Sequence, residues 1–118
     1  VTDRIGITDF EGCEDAVKKG YFVINVAGEL TSSADIQSDI DPGSGKVEKT
    51  LNKLCKIMRD KIKADNETKI VVHCAMGMER SPLAIVWYLH RYQSMGFNDA
   101  YRKLADARPI ILDRRRWI

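Results

Sequence analysis

One stretch of the chain decides the expected fold: residues 69–82 read KIVVHCAMGMERSP. The Ile-Val-Val run at residues 70–72 is β-branched throughout, which is typical of a parallel strand buried on both faces. The Ser-Pro pair at residues 81–82 is typical of a helix start, because proline lacks an N–H that the first helical turn would leave unpaired. The stretch therefore predicts a strand, a tight loop and a helix, with Cys74 placed where the strand ends.

The five residues between Cys74 and Arg80 are few enough to curl into a cup whose backbone N–H groups point inward. Gly77, in the middle of this loop, permits the positive φ that a curled backbone needs. Such a nest binds an anion, and the N-terminus of the following helix adds to its positive potential. The same potential lowers the pKa of a cysteine from its usual ~8.5, while Arg80 offers a planar fork for two phosphate oxygens. The loop therefore indicates an activated cysteine beside a phosphate site; the alternative is a buried structural cysteine that follows a strand.

The pattern His-Cys-x-x-Gly-x-x-Arg-Ser at residues 73–81 resembles the signature of the cysteine-dependent protein tyrosine phosphatase superfamily, with every fixed position present. The resemblance implies that Cys74 is the nucleophile that forms a phosphocysteine and that Arg80 binds the phosphate and its transition state. It also implies that His73 holds the loop and tunes the thiolate, and that Ser81 aids departure of the thiolate in the second step. The residues expected to bind the phosphate are Ala75, Met76, Gly77, Met78, Glu79 and Arg80.

A phosphate ester that is cleaved through a cysteine also needs a proton donor for the leaving oxygen and a base for the attacking water. In the superfamily both roles belong to an aspartate on a mobile loop ahead of the long helix, and the polar loop at residues 31–44 offers Asp35, Asp39 and Asp41. Asp41 lies 33 positions before Cys74 and directly precedes a Pro-Gly turn. This resembles the general-acid position of the small dual-specificity phosphatases. We therefore favour Asp41, then Asp39, then Asp35, and two of the three must only solvate the loop or cap helices.

Other features limit which branch of the superfamily the chain resembles. The phosphate loop contains no lysine, which argues against inositol lipids as substrates. The chain is too short for the extra loop that deepens the pocket of classical tyrosine phosphatases, so the resemblance implies a shallow pocket and activity on phosphotyrosine, phosphoserine and phosphothreonine of proteins. The alternatives are a phosphoprotein-binding pseudophosphatase and an RNA 5′-triphosphatase. Glu79 departs from the small or hydroxylated residue common at its position, and we expect its carboxylate to face away from the phosphate.

Length and composition bound the remaining expectations. With 118 residues, 44% of them hydrophobic, the chain predicts a single phosphatase domain over residues 1–118. No apolar run approaches the ~20 residues that span a bilayer and no leader is visible, so we expect a cytoplasmic protein without a membrane partner. The net charge of +2 is too small to indicate nucleic-acid binding, and the Arg-Arg-Arg run at residues 114–116 is interpreted as a solvated tail face. Because the first residue is Val1 and not methionine, the true N-terminus is left open, as is the oligomeric state.

The chain contains three cysteines and two histidines without the spacing of a metal site, so we expect no metal. Covalent thiolate catalysis needs no organic cofactor either. The odd number of cysteines favours a reducing compartment. We expect Cys55 to lie in the core, whereas Cys13 is harder to place; either is a candidate resolving cysteine for Cys74.

β-Favouring runs alternate with helical patterns along the chain. A run at residues 21–26 predicts a second buried strand, and the polar residues 31–44 predict one long surface loop. Strands that alternate with helices predict an α/β fold, a three-layer sandwich with a central, mainly parallel sheet flanked by helices.

Helix boundaries follow from caps and apolar spacing. A capping box at residues 8–11 and a glycine at residue 20 predict a short first helix. Apolar residues at intervals of three and four predict a long helix from Lys46 to residues 65–66. The helix that opens at Ser81 is predicted to end at Gly96, and a last helix to run from a cap at Asn98 to a stop at residues 108–109.

Overall fold

The computed structural model describes residues 2, 4–65 and 67–117. Within these residues a wholly parallel, four-stranded sheet has the strand order β1-β4-β2-β3. Its strands are β1 (Ile5–Thr8), β2 (Phe22–Asn25), β3 (Ile36–Gln37) and β4 (Ile70–His73). The register aligns the last residues of β1, β2 and β4, which are Thr8, Asn25 and His73.

Helices cover both faces of the sheet. They are α1 (Cys13–Lys18), α2 (Val47–Ala64), α3 (Arg80–Tyr92) and α4 (Phe97–Ala107), followed by a 3₁₀ turn at Arg115–Trp117. Side chains alternate between the two faces of a strand, so Val23 packs with α1 while Ile24 packs in the larger core with the other helices. The arrangement is an α/β sandwich of three layers, which confirms the predicted fold class.

The location of the catalytic candidates follows from the crossovers. The chain passes from β1 to β2 through α1 on one face, and from β3 to β4 through α2 on the other. Strand β4 lies between β1 and β2, so the loop after it opens at the carboxyl edge of the sheet, where α/β proteins bind ligands.

Several predicted elements are confirmed. Strand β2 falls within the predicted run at residues 21–26, and α2 begins one residue after Lys46 and ends at Ala64. Of the two residues predicted to end α2, Asn66 lies outside the described residues. The last helix ends at Ala107, before the proline, as predicted.

The first strand was not predicted, and the start of the first helix was predicted wrongly. Thr8 ends β1 and does not cap a helix, and α1 begins only at Cys13. Asp9 caps the turn between them, because its carboxylate accepts a hydrogen bond of 2.9 Å from the N–H of Gly12. The alternation of Ile5 and Ile7 was the available signal for β1, and it spans only four residues.

The end of α3 also differs from the prediction. The helix ends at Tyr92, and the N–H of Met95 bonds back to the carbonyl of Leu89 at 3.2 Å. Gly96 is extended and precedes the first residue of α4, so Asn98 does not cap that helix.

The segment at residues 31–44 is not wholly a surface loop. It contains β3, and Ile40 is fully buried in the core. None of the helices in the described part of the chain is both long and apolar enough to cross a membrane.

Candidate active site

The backbone of the loop after β4 is turned with its carbonyls outward. The carbonyls of residues 75–78 accept hydrogen bonds of 2.7–3.1 Å from three separate places: the N–H of Phe10, the guanidinium of Arg108 and the N–H of Leu112. Because a peptide unit points its N–H opposite to its carbonyl, this bracing directs N–H groups into the cup. The loop is therefore an anion nest held from outside.

Gly77 meets the steric requirement that the sequence predicted. Its φ is +66°, and a Cβ there would lie 2.9 Å from both the Nε of Arg108 and the carbonyl oxygen of Thr8. Any side chain would push against the bracing guanidinium and against backbone, so a curled loop at this place requires glycine.

Cys74 lies at the bottom of the cup and is 3% exposed. Its Sγ is 3.3 Å from the Oγ of Ser81, and backbone N–H groups of Gly77, Glu79 and Ser81 also bond to the sulfur. Burial raises the pKa of Cys74, but the hydroxyl and N–H donors together outweigh burial and lower that pKa below its usual value. The site therefore favours the thiolate, which is the nucleophilic form.

A cavity of about 240 Å³ opens above the sulfur. It brings together nearly all residues predicted to bind phosphate, and its lining consists of Cys74, Ala75, Met76, Met78, Glu79 and Arg80. Gly77 contributes through its backbone instead.

His73 is fully buried and links two loops. Its Nδ1 lies 3.1 Å from the carbonyl oxygen of Cys74, which can only accept, so Nδ1 carries a proton. In the neutral ring Nε2 then accepts from the hydroxyl of Ser32, at 3.0 Å. The ring thus ties the first residue of the cup to the segment after β2.

Arg80 binds a carboxylate in this structure. Its two terminal nitrogens donate to the two oxygens of Glu29, one of them at 2.7 Å, in a fork-to-fork pair. The hydrogen bond from Arg80 lowers the pKa of Glu29 to about 2. The guanidinium therefore already holds two oxygens in the geometry in which it would hold two oxygens of a phosphate.

The three candidate aspartates occupy different places. Asp35 accepts from the N–H of Val23 at 2.8 Å, near the start of β2 and away from the carboxyl edge. Asp41 accepts from the N–H of Gly43 at 2.9 Å within its own turn. Asp39 accepts from the N–H of Gly28 at 2.9 Å.

Asp39 is the candidate whose position relates it to the cup. The hydrogen bonds that Arg80 donates to Glu29 contribute most to raising the pKa of that arginine, and the nearby charge of Asp39 also contributes. A Cβ on Gly28 would lie 2.4 Å from the carboxyl carbon of Asp39, so glycine at that position permits the approach.

Glu79 pairs with an arginine from the C-terminal segment. Its carboxylate accepts from Arg114 at 2.9 Å, and the neighbouring Arg115 pairs with Asp113 at 2.6 Å. The interpretation of residues 114–116 as a solvated tail face is therefore wrong for Arg114, whose side chain is mostly covered, whereas the side chains of Arg115 and Arg116 remain in contact with solvent.

The two other cysteines are buried thiols. Cys55 is fully buried, as predicted, and burial raises its pKa to about 12. Cys13, the first residue of α1, is 1% exposed and packs against the sheet, with its sulfur 4.0 Å from the Oγ of Ser33. Buried thiols of this kind are unreactive, and a resolving role for either cysteine stays a prediction.

Three residues of the site were missed by sequence reasoning: Glu29, Ser32 and Arg108. The first two follow β2, whose carboxyl end lies beside that of β4, so the parallel order was a usable signal for them. Nothing local in the sequence points to Arg108.

Comparisons with known proteins agree with this geometry. The family model described as dual specificity phosphatase, catalytic domain, matches residues 14–118. The chain is 44% identical over 43 residues to the tyrosine-protein phosphatase vhp-1 of Caenorhabditis elegans, which covers 36% of this chain and 6% of that protein. It is 39% identical over 61 residues to the tyrosine-protein phosphatase MSG5 of Saccharomyces cerevisiae, which covers 52% of this chain and 12% of that protein.

The chain therefore spans only a small part of the length of these relatives. Among solved structures, the crystal structure of human DUSP28 matches with a TM-score of 0.80 at 18% identity, covering 96% of this chain and 85% of that one. At this identity the likeness supports the fold alone.

Proposed function

The chain belongs to the family of dual specificity phosphatase catalytic domains, and on that premise we propose that it hydrolyses phosphate monoesters of proteins through a phosphocysteine at Cys74. The observation that carries the proposal is the set of donors around the sulfur of Cys74: one hydroxyl and three backbone N–H groups inside a braced cup. A purely structural cysteine would need none of them. Phosphotyrosine, phosphoserine and phosphothreonine are the proposed substrates.

In the first step the thiolate of Cys74 attacks phosphorus. The S–P bond forms and the P–O bond to the substrate oxygen breaks, with that oxygen taking a proton from a carboxylic acid. The inward N–H groups and Arg80 stabilise the charge on the three remaining phosphoryl oxygens.

In the second step a water molecule attacks phosphorus. The new P–O bond forms, the S–P bond breaks, and the carboxylate produced in the first step takes the proton of the water. Ser81 assists, because its hydroxyl lies 3.3 Å from the sulfur and can donate to the departing thiolate.

We assign the acid to the segment before α2, with Asp39 ahead of Asp41 and Asp35. Asp39 is the one whose charge acts on Arg80, and it is exposed, so it can reach a bound phosphate ester. The spacing argument for Asp41 remains the competing hypothesis.

Substrate binding must also release Arg80 from Glu29. A phosphate offers the same guanidinium two oxygens and more negative charge than a carboxylate, so it can displace Glu29. Glu29 is the more exposed partner, its side chain being 54% accessible against 20% for that of Arg80. We therefore infer that Glu29 moves into solvent when substrate binds.

The test is hydrolysis of p-nitrophenyl phosphate and of matched phosphotyrosine, phosphoserine and phosphothreonine peptides by the wild type and Cys74→Ser. We expect turnover by the wild type, loss of turnover in the variant, and a burst of p-nitrophenol that equals one equivalent of enzyme if hydrolysis of the phosphocysteine is slow. Binding of phosphopeptides without turnover by the wild type would instead support a phosphoprotein-binding pseudophosphatase.

A further inference from the structure

A groove runs from the cup along the outer side of the phosphate loop. Met76 lines both the cavity above Cys74 and this groove, whose volume is about 440 Å³. Four large hydrophobic side chains are exposed within the described ranges, and three of them line the groove: Phe10 (40%), Met76 (63%) and Ile110 (51%). Exposed apolar side chains gathered beside a catalytic centre indicate a surface that binds another molecule.

The walls of the groove are fixed to the phosphate loop. The N–H of Phe10 donates to the carbonyl of Ala75 at 3.1 Å, and its ring meets the ring of His73 edge-on at 6.2 Å. On the other wall Arg108 donates to two carbonyls of the loop. A ligand therefore meets a preformed surface and does not have to order it.

The lining of the groove also carries acidic side chains. Asp9 and Glu11 contribute to it, and the carboxylate of Asp9 accepts a hydrogen bond from the N–H of Gly12. Glu11 is exposed and has no ion-pair partner in the part of the chain that the structure describes. Arg108 is the one cation among the lining residues, and its Nε and one terminal nitrogen face loop carbonyls. The two carboxylates outnumber the one guanidinium, so the lining is negative on balance, and Glu11 is its most exposed charge.

We propose that this groove binds the residues next to the phosphorylated residue of a protein substrate, with an apolar side chain against Phe10, Met76 and Ile110 and a lysine or arginine beside Glu11. The cup and the groove are continuous, because Met76 lines both. A phosphoresidue in the cup must place its neighbours along one side of the loop, so we expect these neighbours to occupy the groove. The exposed carboxylate of Glu11 supplies charge complementarity to that lysine or arginine. The inference rests on the proposed function, because it takes the cup as the phosphate site.

The experiment compares phosphotyrosine peptides that carry Leu or Gly, and Arg or Glu, at the positions on either side of the phosphoresidue. The rate on p-nitrophenyl phosphate, which is too small to reach the groove, serves as the internal reference. We expect kcat/KM to be about tenfold higher for peptides with Leu than for those with Gly on one side, since one apolar side chain is buried. Arg in place of Glu should add about three- to fivefold, an advantage that weakens in high salt.

Variants locate the effect. Ile110→Ser should lower the ratio of kcat/KM on peptide to kcat/KM on p-nitrophenyl phosphate about tenfold for the Leu peptides. Leu112→Ser removes an exposed apolar side chain outside the groove lining and keeps the backbone N–H that bonds to Met78, so it should leave this ratio unchanged. Glu11→Lys should reverse the preference for Arg over Glu. Its control is Glu67→Lys, an exposed glutamate at the opposite edge of the sheet.

A binding arm separates this inference from the proposed function. Fluorescence anisotropy of the same peptides with Cys74→Ser reports selectivity without turnover. If the wild type hydrolyses nothing but the peptides are still ranked as expected in binding, the proposed function fails and the groove stands. The groove proposal is wrong if all peptides are hydrolysed and bound equally well, or if Ile110→Ser and Glu11→Lys leave the peptide preferences unaltered. This holds even if p-nitrophenyl phosphate is hydrolysed.

Discussion

The phosphate loop, residues 74–79, and the acid-bearing segment, residues 29–41, meet at the same edge of the sheet but are held in different ways. Donors from three separate places hold the outward carbonyls of the phosphate loop, and Gly77 lies against one of them, Arg108, and against the carbonyl oxygen of Thr8. The carboxylates of the acid-bearing segment are exposed, and each is tethered by one or two hydrogen bonds, as Asp39 is to the N–H of Gly28.

The difference follows from what each part must do. A nucleophile and its anion nest act best when their geometry is fixed in advance, because donors that are already oriented need no reorganisation. A general acid must approach the leaving group and later face water, so a lightly tethered carboxylate suits it. Phosphate binding is therefore expected to depend on the braces of the loop, and proton transfer on a single side chain of the segment.

The largest expected effect concerns that single side chain. Asp39→Asn keeps an oxygen for the N–H of Gly28 but removes the proton, so kcat on phosphotyrosine should fall about 100- to 1,000-fold. The loss should be smaller for p-nitrophenyl phosphate, whose leaving group needs less protonation. The measurement is steady-state kinetics with the pH profile, in which the limb that reports a protonated acid should disappear.

Asp41→Asn is the matched control, since Asp41 bonds within its own turn. It should change kcat less than threefold. If Asp41→Asn shows the large loss and Asp39→Asn does not, the spacing argument was right and the geometric one wrong.

The braces of the phosphate loop give the next largest effect. Arg108→Ala leaves two loop carbonyls without their donors, so we expect the loop to relax, kcat/KM for p-nitrophenyl phosphate to fall about tenfold or more, and the protein to lose about 2 kcal/mol of stability in urea. Arg102→Ala, on the helix that ends just before Arg108, is the control, because Arg102 makes only an exposed pair with Asp99 at 3.7 Å. Wild-type activity in Arg108→Ala would show that the loop supports itself.

A smaller effect is expected inside the cup. Ser81→Ala removes a donor that lowers the pKa of Cys74, so the midpoint of the pH dependence of iodoacetamide alkylation should move upward. We expect kcat to fall about tenfold, from the loss of one hydrogen bond to the departing thiolate.

Ser33→Ala provides the matched control, because Ser33 lies beside a different buried cysteine, Cys13. It should leave both the alkylation midpoint and kcat unchanged. An unmoved midpoint in Ser81→Ala would mean that the backbone N–H groups alone set the thiolate.

The same contrast explains what the sequence could predict. The phosphate loop is built from contiguous residues, so its strand, its glycine and its arginine could be predicted from residues 69–82 alone, and the alternation of elements predicted the sandwich. The positions of the aspartates in the acid-bearing segment could not be predicted in this way. A two-residue strand and the buried Ile40 determine where Asp39 and Asp41 lie, and neither was evident from composition.

Contacts between residues far apart in the sequence could not be predicted for a related reason. Glu29 reaches Arg80 across 51 positions, and Arg108 reaches Gly77 across 31. Such pairs depend on which loops share the carboxyl edge, and that follows from the strand order. Because β1, which pairs with β4, was not predicted, the strand order could not be completed from the sequence.

The smallest expected effect tests whether the segment restrains the loop. Glu29→Gln weakens the fork that occupies Arg80, so inorganic phosphate should inhibit the variant about three- to fivefold more strongly, with kcat changed less. The pH dependence follows from the low pKa of Glu29. A carboxylate with a pKa of about 2 in the free protein, against its ordinary 4.5, is charged at every pH above about 5, and the pair is lost only as the pH falls towards 2.

The ratio of the inhibition constants of wild type and Glu29→Gln should therefore stay constant between about pH 5.5 and 7.5, because the ionisation of phosphate itself cancels between the two proteins. Glu67→Gln, at the opposite edge of the sheet, controls for the loss of one negative charge. Equal inhibition of all three proteins would mean that phosphate does not compete with Glu29 for Arg80. A ratio that falls towards one below pH 6 would mean that Glu29 takes up a proton there, and that its hold on Arg80 is weaker than the paired geometry indicates.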